Sequence, residues 1–78
     1  PNPDRERLAQ VVMRLMAELS PRHRQAIELR FFEECSRQEC AERMQLKLGT
    51  FDVLLLRSLR AFRALWELQF TPSERSAS

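Results

Sequence analysis

Glycine occurs once in these 78 residues, tyrosine never, and histidine and tryptophan once each. With almost no turn-rich sequence outside its two ends, the chain reads as an all-α domain. A single glycine also excludes a glycine-rich phosphate loop, and no nucleophile lies at recognisable spacing from a base, so catalysis is not expected. The two cysteines, Cys35 and Cys40, and the lone His23 do not make a metal-ligand pattern, and no cofactor is implied. Nothing suggests the secreted setting that a disulfide framework needs. Cys40 is expected to serve as a small core hydrophobe and Cys35 as a loop thiol, with a redox switch as the alternative use of the pair. No apolar run is long enough to span a bilayer and no signal peptide is evident, which points to a cytoplasmic protein without a membrane partner. The opening Pro1-Asn2-Pro3, in place of a methionine, suggests a fragment or processed chain.

What is present is charge and helical periodicity. Thirteen basic residues against eleven acidic give a formal net charge of +2, too mild to prove nucleic-acid binding. Its distribution is more telling: Arg43, Lys47, Arg57, Arg60 and Arg63 meet only Asp52 between residues 43 and 63.

Four helices follow from the pattern. Asp4 caps a first helix reaching about Leu19, with Leu8, Val11, Val12, Leu15, Met16 and Leu19 on one stripe. Ser20 caps the second, and Pro21 suits its first turn because no N–H is needed there. Ala26, Ile27, Leu29, Phe31 and Phe32 give that helix a broad core face, and Glu33-Glu34-Cys35 is the connection that follows. A third helix spans about Arg37–Met44 and a fourth about Thr50–Gln69, closed by Thr71-Pro72-Ser73. Trp66 and Phe70 are expected to close the core. Residues 1–70 form the domain, and 71–78 a polar tail expected to be disordered.

The stretch from Ser36 to Phe51 carries the functional signal. Ser36 and Glu39 match a capping box, Cys40, Ala41 and Met44 form a short stripe, and Leu46 and Leu48 fill a tight turn. Gly49-Thr50 opens the next helix with Thr50 as its cap. Two short helices across such a turn make a helix-turn-helix, the frame that presents its second helix to a major groove.

Leu19-Ser20-Pro21, Leu29-Arg30-Phe31-Phe32-Glu33, Glu39-Cys40-Ala41 and Gly49-Thr50 also fall in the order and spacing of a known family. From about Leu8 to Trp66 the chain resembles the C-terminal domain, conserved region 4, of an extracytoplasmic-function sigma factor. The resemblance implies transcription initiation: a fourth helix on the minus-35 promoter element, docking on the β flap of RNA polymerase, and in many members an anti-sigma factor. No small-molecule substrate is implied.

The fourth helix departs from the family pattern. Where the family has "Gly-Thr-Val-Lys-Ser-Arg-Leu-x-Arg", this chain has Gly49-Thr50-Phe51-Asp52-Val53-Leu54-Leu55-Leu56-Arg57, and only Arg57 keeps its expected charged type. At about 100° per residue, Phe51, Leu55, Ser58, Phe62 and Leu65 face inward, flanked by Leu54, Leu59 and Trp66. Asp52, Val53, Leu56, Arg57, Arg60 and Arg63 face out. Three readings stay open. The helix reads DNA by altered chemistry, Val53 and Leu56 touching thymine methyls, Asp52 accepting from a cytosine amino group, and Arg57 taking guanine or phosphate. Arg37, Lys47, Arg60 and Arg63 then contact phosphate, and Thr50 offers the helix N-terminus to an anion. Alternatively the exposed aliphatics bind a protein partner, or they are covered by an absent part of a longer chain. Arg30 could meet phosphate, polymerase, or Glu33 or Glu34. Glu39 caps or orients an arginine, and His23 is expected to be solvated.

Overall fold

The computed structural model describes residues 3–70, and its regular elements are helices: α1 (Pro3–Glu18), α2 (Pro21–Ile27), α3 (Arg37–Arg43) and α4 (Leu48–Phe70). The backbone of α2 runs on into a wider π-helical turn, Glu28–Phe32. The segment expected to be a disordered tail, with its Thr71-Pro72-Ser73 stop, lies outside the described residues.

α1 begins one residue earlier than its sequence suggests. Pro3 takes the first position, so Asp4 lies inside the first turn, where with Glu6 it meets the positive end of the helix dipole, and is not the cap. The apolar stripe docks through its second half. Leu15, Met16 and Leu19 are buried and Val11 and Val12 half-buried, whereas Leu8 stays exposed.

Ser20 and Pro21 start α2 as expected, the Ser20 hydroxyl accepting the His23 amide at 3.4 Å. The helix then widens. The Glu33 amide reaches the Glu28 carbonyl at 2.9 Å, and the Cys35 amide reaches that of Leu29 at 3.0 Å. A wider turn advances fewer degrees per residue, so a face drawn on the ordinary helical period slips here. Leu29 remains inside, but Phe31 and Phe32 emerge half exposed instead of filling the core. Cys35 also departs from expectation. It sits in the connection yet is buried, and its carbonyl accepts from Arg30 Nη1 at 3.1 Å.

Two core clusters result. Ala26, Leu29, Cys35, Cys40, Ala41, Phe51 and Leu54 form the centre of the helix-turn-helix, and Met16, Leu19 and Ile27 form a second cluster against Ala61, Phe62 and Leu65. Leu55 packs against both. α4 is the shared wall. Its 23 residues, about 34 Å at 1.5 Å each, run past both clusters. Phe51 and Ser58 are fully enclosed, the Ser58 hydroxyl being satisfied by the Leu54 carbonyl at 2.7 Å. Trp66 and Phe70 do not close the core. Trp66 is half-buried, Phe70 is exposed, and their rings meet at a tilt with centroids 4.3 Å apart.

Candidate nucleic-acid interface

α3 is fixed at both ends by its own sequence. At its start the Glu39 amide donates to Ser36 Oγ at 3.1 Å and the Ser36 amide to Glu39 Oε1 at 2.9 Å, the reciprocal capping box. The Ser36 amide, followed by its hydroxyl, holds the Glu39 carboxyl below the usual carboxylate range. At its end, Gln45 adopts the left-handed conformation with φ of 58°. The Leu46 amide returns to the Ala41 carbonyl at 2.8 Å and that of Gln45 to Glu42 at 3.1 Å, the paired bonds of a Schellman stop. Leu46 then packs on the first core cluster and aims the chain into α4.

α4 starts at Leu48. The Phe51 amide bonds the Lys47 carbonyl at 2.9 Å, so the amides of Leu48, Gly49 and Thr50 precede the intrahelical ladder. Thr50 is thus the third helical residue and not the cap. Leu48, expected to fill the turn, is instead the first residue of α4 and is 40% exposed.

With Phe51 and Leu54 turned into the core, Thr50, Val53, Leu56, Arg57 and Arg60 stand exposed along α4, with Lys47 exposed just before it. Arg37 and Asp52, each read from sequence as a separate contact, face one another. Arg37 Nε donates to Asp52 Oδ1 at 2.9 Å and Nη2 to Oδ2. The Arg37 hydrogen bonds pull the Asp52 carboxyl below its ordinary value, and Asp52 in turn raises the guanidinium. Arg43 pairs with Glu33 at 3.0 Å, and Arg63 lies 3.9 Å from Glu67. Among the described residues no ion pair engages Lys47, Arg57 or Arg60, so these cations remain available at the outward face. Arg30 is committed to the Cys35 carbonyl and lies over the Phe31 ring, and meets neither Glu33 nor Glu34. His23 is half-buried near the start of α2.

Two hollows flank α4. One, about 360 Å³, is lined by Arg22, Gly49, Thr50, Val53, Leu54 and Arg57. Arg22 is the residue sequence reasoning missed. It belongs to α2 and joins the outward face of α4 only through tertiary packing, which no local motif signals. The other hollow, about 290 Å³, is wholly apolar, lined by Val12, Met16, Ile27, Phe31, Phe32, Leu59 and Phe62. Val53 and Phe62 are nine residues apart, which at about 100° per residue is half a turn, so the two hollows open on opposite sides of α4.

Residues 9–62 match the family described as sigma-70, region 4. The chain belongs to that family. No curated protein and no solved structure matched it. The region 4 domain is a DNA-binding helix-turn-helix of sigma factors, acting in transcription initiation and its regulation, and the family is one of regulatory domains, not of enzymes. Its family role is binding of the minus-35 promoter element together with RNA polymerase. No helix among the described residues is long and apolar enough to cross a membrane.

Proposed function

We propose that this region 4 domain reads a minus-35 element as part of an alternative, extracytoplasmic-function sigma factor in the cytoplasm, with α4 in the major groove. The observation that carries the reading is the exposed strip of α4 on which Val53, Leu56, Arg57 and Arg60 lie together, with no acid among the described residues engaging either arginine. Arg57 suits a guanine edge or a phosphate, and Val53 and Leu56 suit thymine methyls. Arg60, Lys47 and Thr50 supply backbone contacts. The Arg37 pair uses two of the roughly four lone-pair sites of the Asp52 carboxylate, leaving others to accept from a cytosine amino group. Arg37 keeps Nη1 for a phosphate.

The apolar hollow on the far side of α4 suits the β flap of RNA polymerase, because a partner there leaves the DNA side open. Phe31 and Phe32, each 50% exposed, would be its anchors.

The test is selection of bound duplexes from a random pool, followed by titration across salt. Arg57→Ala should weaken the selected duplex and relax one position, whereas Arg60→Ala should weaken all duplexes alike and flatten the salt slope. Unchanged binding by both variants removes α4 from the DNA.

A second reading is favoured by one observation: Val53 and Leu56 are each 49% exposed and Leu59 39%, an aliphatic row spaced three apart along α4. In that reading the row binds an anti-sigma factor or polymerase, and the domain is an adaptor. Leu56→Asp should then abolish partner capture with the fold intact, and normal capture by that variant would count against it.

A further inference from the structure

Arg22 occupies a position that the recognition strip does not explain. It is exposed at the second residue of α2, has no ion-pair partner among the described residues, and shares a hollow with Arg57 of α4. The two cations therefore come from different helices to one concavity with no acid in its lining. Arg37 has Asp52, Arg43 has Glu33 and Arg30 has the Cys35 carbonyl, whereas Arg24 of α2 and Arg60 of α4, like Arg22 and Arg57, have no ion pair among the described residues.

Gly49 lies beside the two arginines. As the second residue of α4 it lines the same hollow. The fold gives no reason for a glycine there. A Cβ built there meets nothing within 4 Å, and its φ is not in the left-handed range. Without a side chain there, a group entering the hollow can come close to the backbone amides. The amides of Gly49 and Thr50 precede the helical ladder and so have no acceptor within α4.

We propose that Arg22 is a further DNA-contact residue. With one edge of the Arg57 guanidinium, whose remaining N–H donors stay free for a base, it clamps one backbone phosphate seated on the Gly49–Thr50 amides, fixing how deeply and at what angle α4 enters the groove. The inference rests on the promoter-binding reading above, and adds to it a contact made by α2. A phosphodiester fits the chemistry: an anion with several acceptor oxygens takes two guanidinium groups and free amides at once. Such a contact carries no base information, so its loss should act on all sequences equally.

The test uses the 78-residue chain and a duplex selected from a random pool, with binding measured over a range of salt. Arg22→Ala should weaken the selected and unrelated duplexes alike, by about 5- to 10-fold, and lower the salt slope by about 0.9, the loss of one phosphate contact. Arg22→Lys should keep the slope. Gly49→Ala should melt higher yet bind DNA more weakly. A scan of single neutral methylphosphonate linkages with the unaltered protein avoids any question of folding. Each backbone contact should mark a position whose neutralisation weakens binding, and Arg22→Ala should lose part of the effect at one of those positions and keep it at the others. If the native chain binds DNA and Arg57→Ala weakens it, but Arg22→Ala changes neither affinity nor slope, the clamp is wrong and promoter reading stands. If the native chain binds no duplex even at low salt, promoter reading falls and the clamp falls with it.

Discussion

Arg37, at the start of α3, and Asp52, on the first turns of α4, meet in a two-point ion pair across the helix-turn-helix. The side chains keep 52% and 39% of their exposure, so the pair does more to orient than to stabilise. It holds the only acid between residues 43 and 63 against a cation, and sets the angle at which that carboxylate faces outward.

Removing the acid should change binding more than folding. Asp52→Asn should leave the helical spectrum unchanged, strengthen binding to unrelated duplexes, steepen the salt slope as Arg37 is released toward phosphate, and weaken discrimination at one base pair. The pair also predicts a pH response. The folded Asp52 carboxyl lies below its unfolded value, so the pair is fully formed above the ordinary aspartate range and is lost as pH falls through the lower folded value. The capping box at Glu39 should follow the same sign. Carboxyl chemical shifts of Asp52 and Glu39 against pH check both, and midpoints at or above ordinary carboxylate values would contradict the geometry.

A second outcome concerns the Schellman stop. Gln45 adopts a left-handed conformation that costs a residue with a Cβ about 1–2 kcal/mol. Gln45→Gly removes that cost while gaining some unfolded-state entropy, so a net stabilisation of about 1 kcal/mol is expected, visible as a melting rise of roughly 4–8 °C in a domain this size. A lower melting temperature would mean that the Gln45 side chain contributes something its backbone does not reveal.

Phenylalanines should split into two classes. Phe51 is fully enclosed at the centre of the first core cluster, and Phe51→Ala should cost about 3–5 kcal/mol, enough to unfold most of a small domain. Phe31→Ala should leave thermal stability nearly unchanged and weaken binding to an isolated β-flap fragment. Equal thermal losses in the two variants would place Phe31 in the core after all.

Cysteine chemistry gives a fourth check. Cys35 and Cys40 are both buried, and burial pushes the Cys40 thiol up. Alkylation in native buffer should therefore be slow for both and should accelerate with denaturant in step with unfolding. Fast labelling of Cys35 in the folded protein would revive it as a loop thiol.

Much of this architecture was legible in local sequence because local physics decides it. Ser20-Pro21 and Ser36-Glu39 satisfy helix starts with their own atoms, and the stripe through Phe51, Leu54 and Ser58 follows the helical period. The errors arose where the period changed or where distant segments met. The π-helical turn after Ile27 rotated Phe31 and Phe32 out of a face that ordinary periodicity had turned inward. The Lys47 carbonyl, not that of Thr50, accepts the first bond of the α4 ladder, since a backbone cap needs no signature side chain. Arg22 near Gly49, and Arg37 with Asp52, are products of tertiary packing, and fifteen residues separate the latter two. Val53, Leu56, Arg57, Arg60 and Arg63 are exposed on α4 as the helical period expects, and Asp52 is half-buried against Arg37, but periodicity says nothing about which of them already hold a partner.

α4 is an unbroken rod that carries the arginine-lined hollow near one end and the apolar hollow farther along. The nine residues from Val53 to Phe62 amount to about 14 Å along its axis. That makes it a ruler with a built-in angle: neither the span nor the twist between the two surfaces can be retuned alone. One residue inserted between Arg57 and Leu59 would lengthen the gauge by about 1.5 Å and swing the far surface by about 100°, uncoupling whatever each end grips.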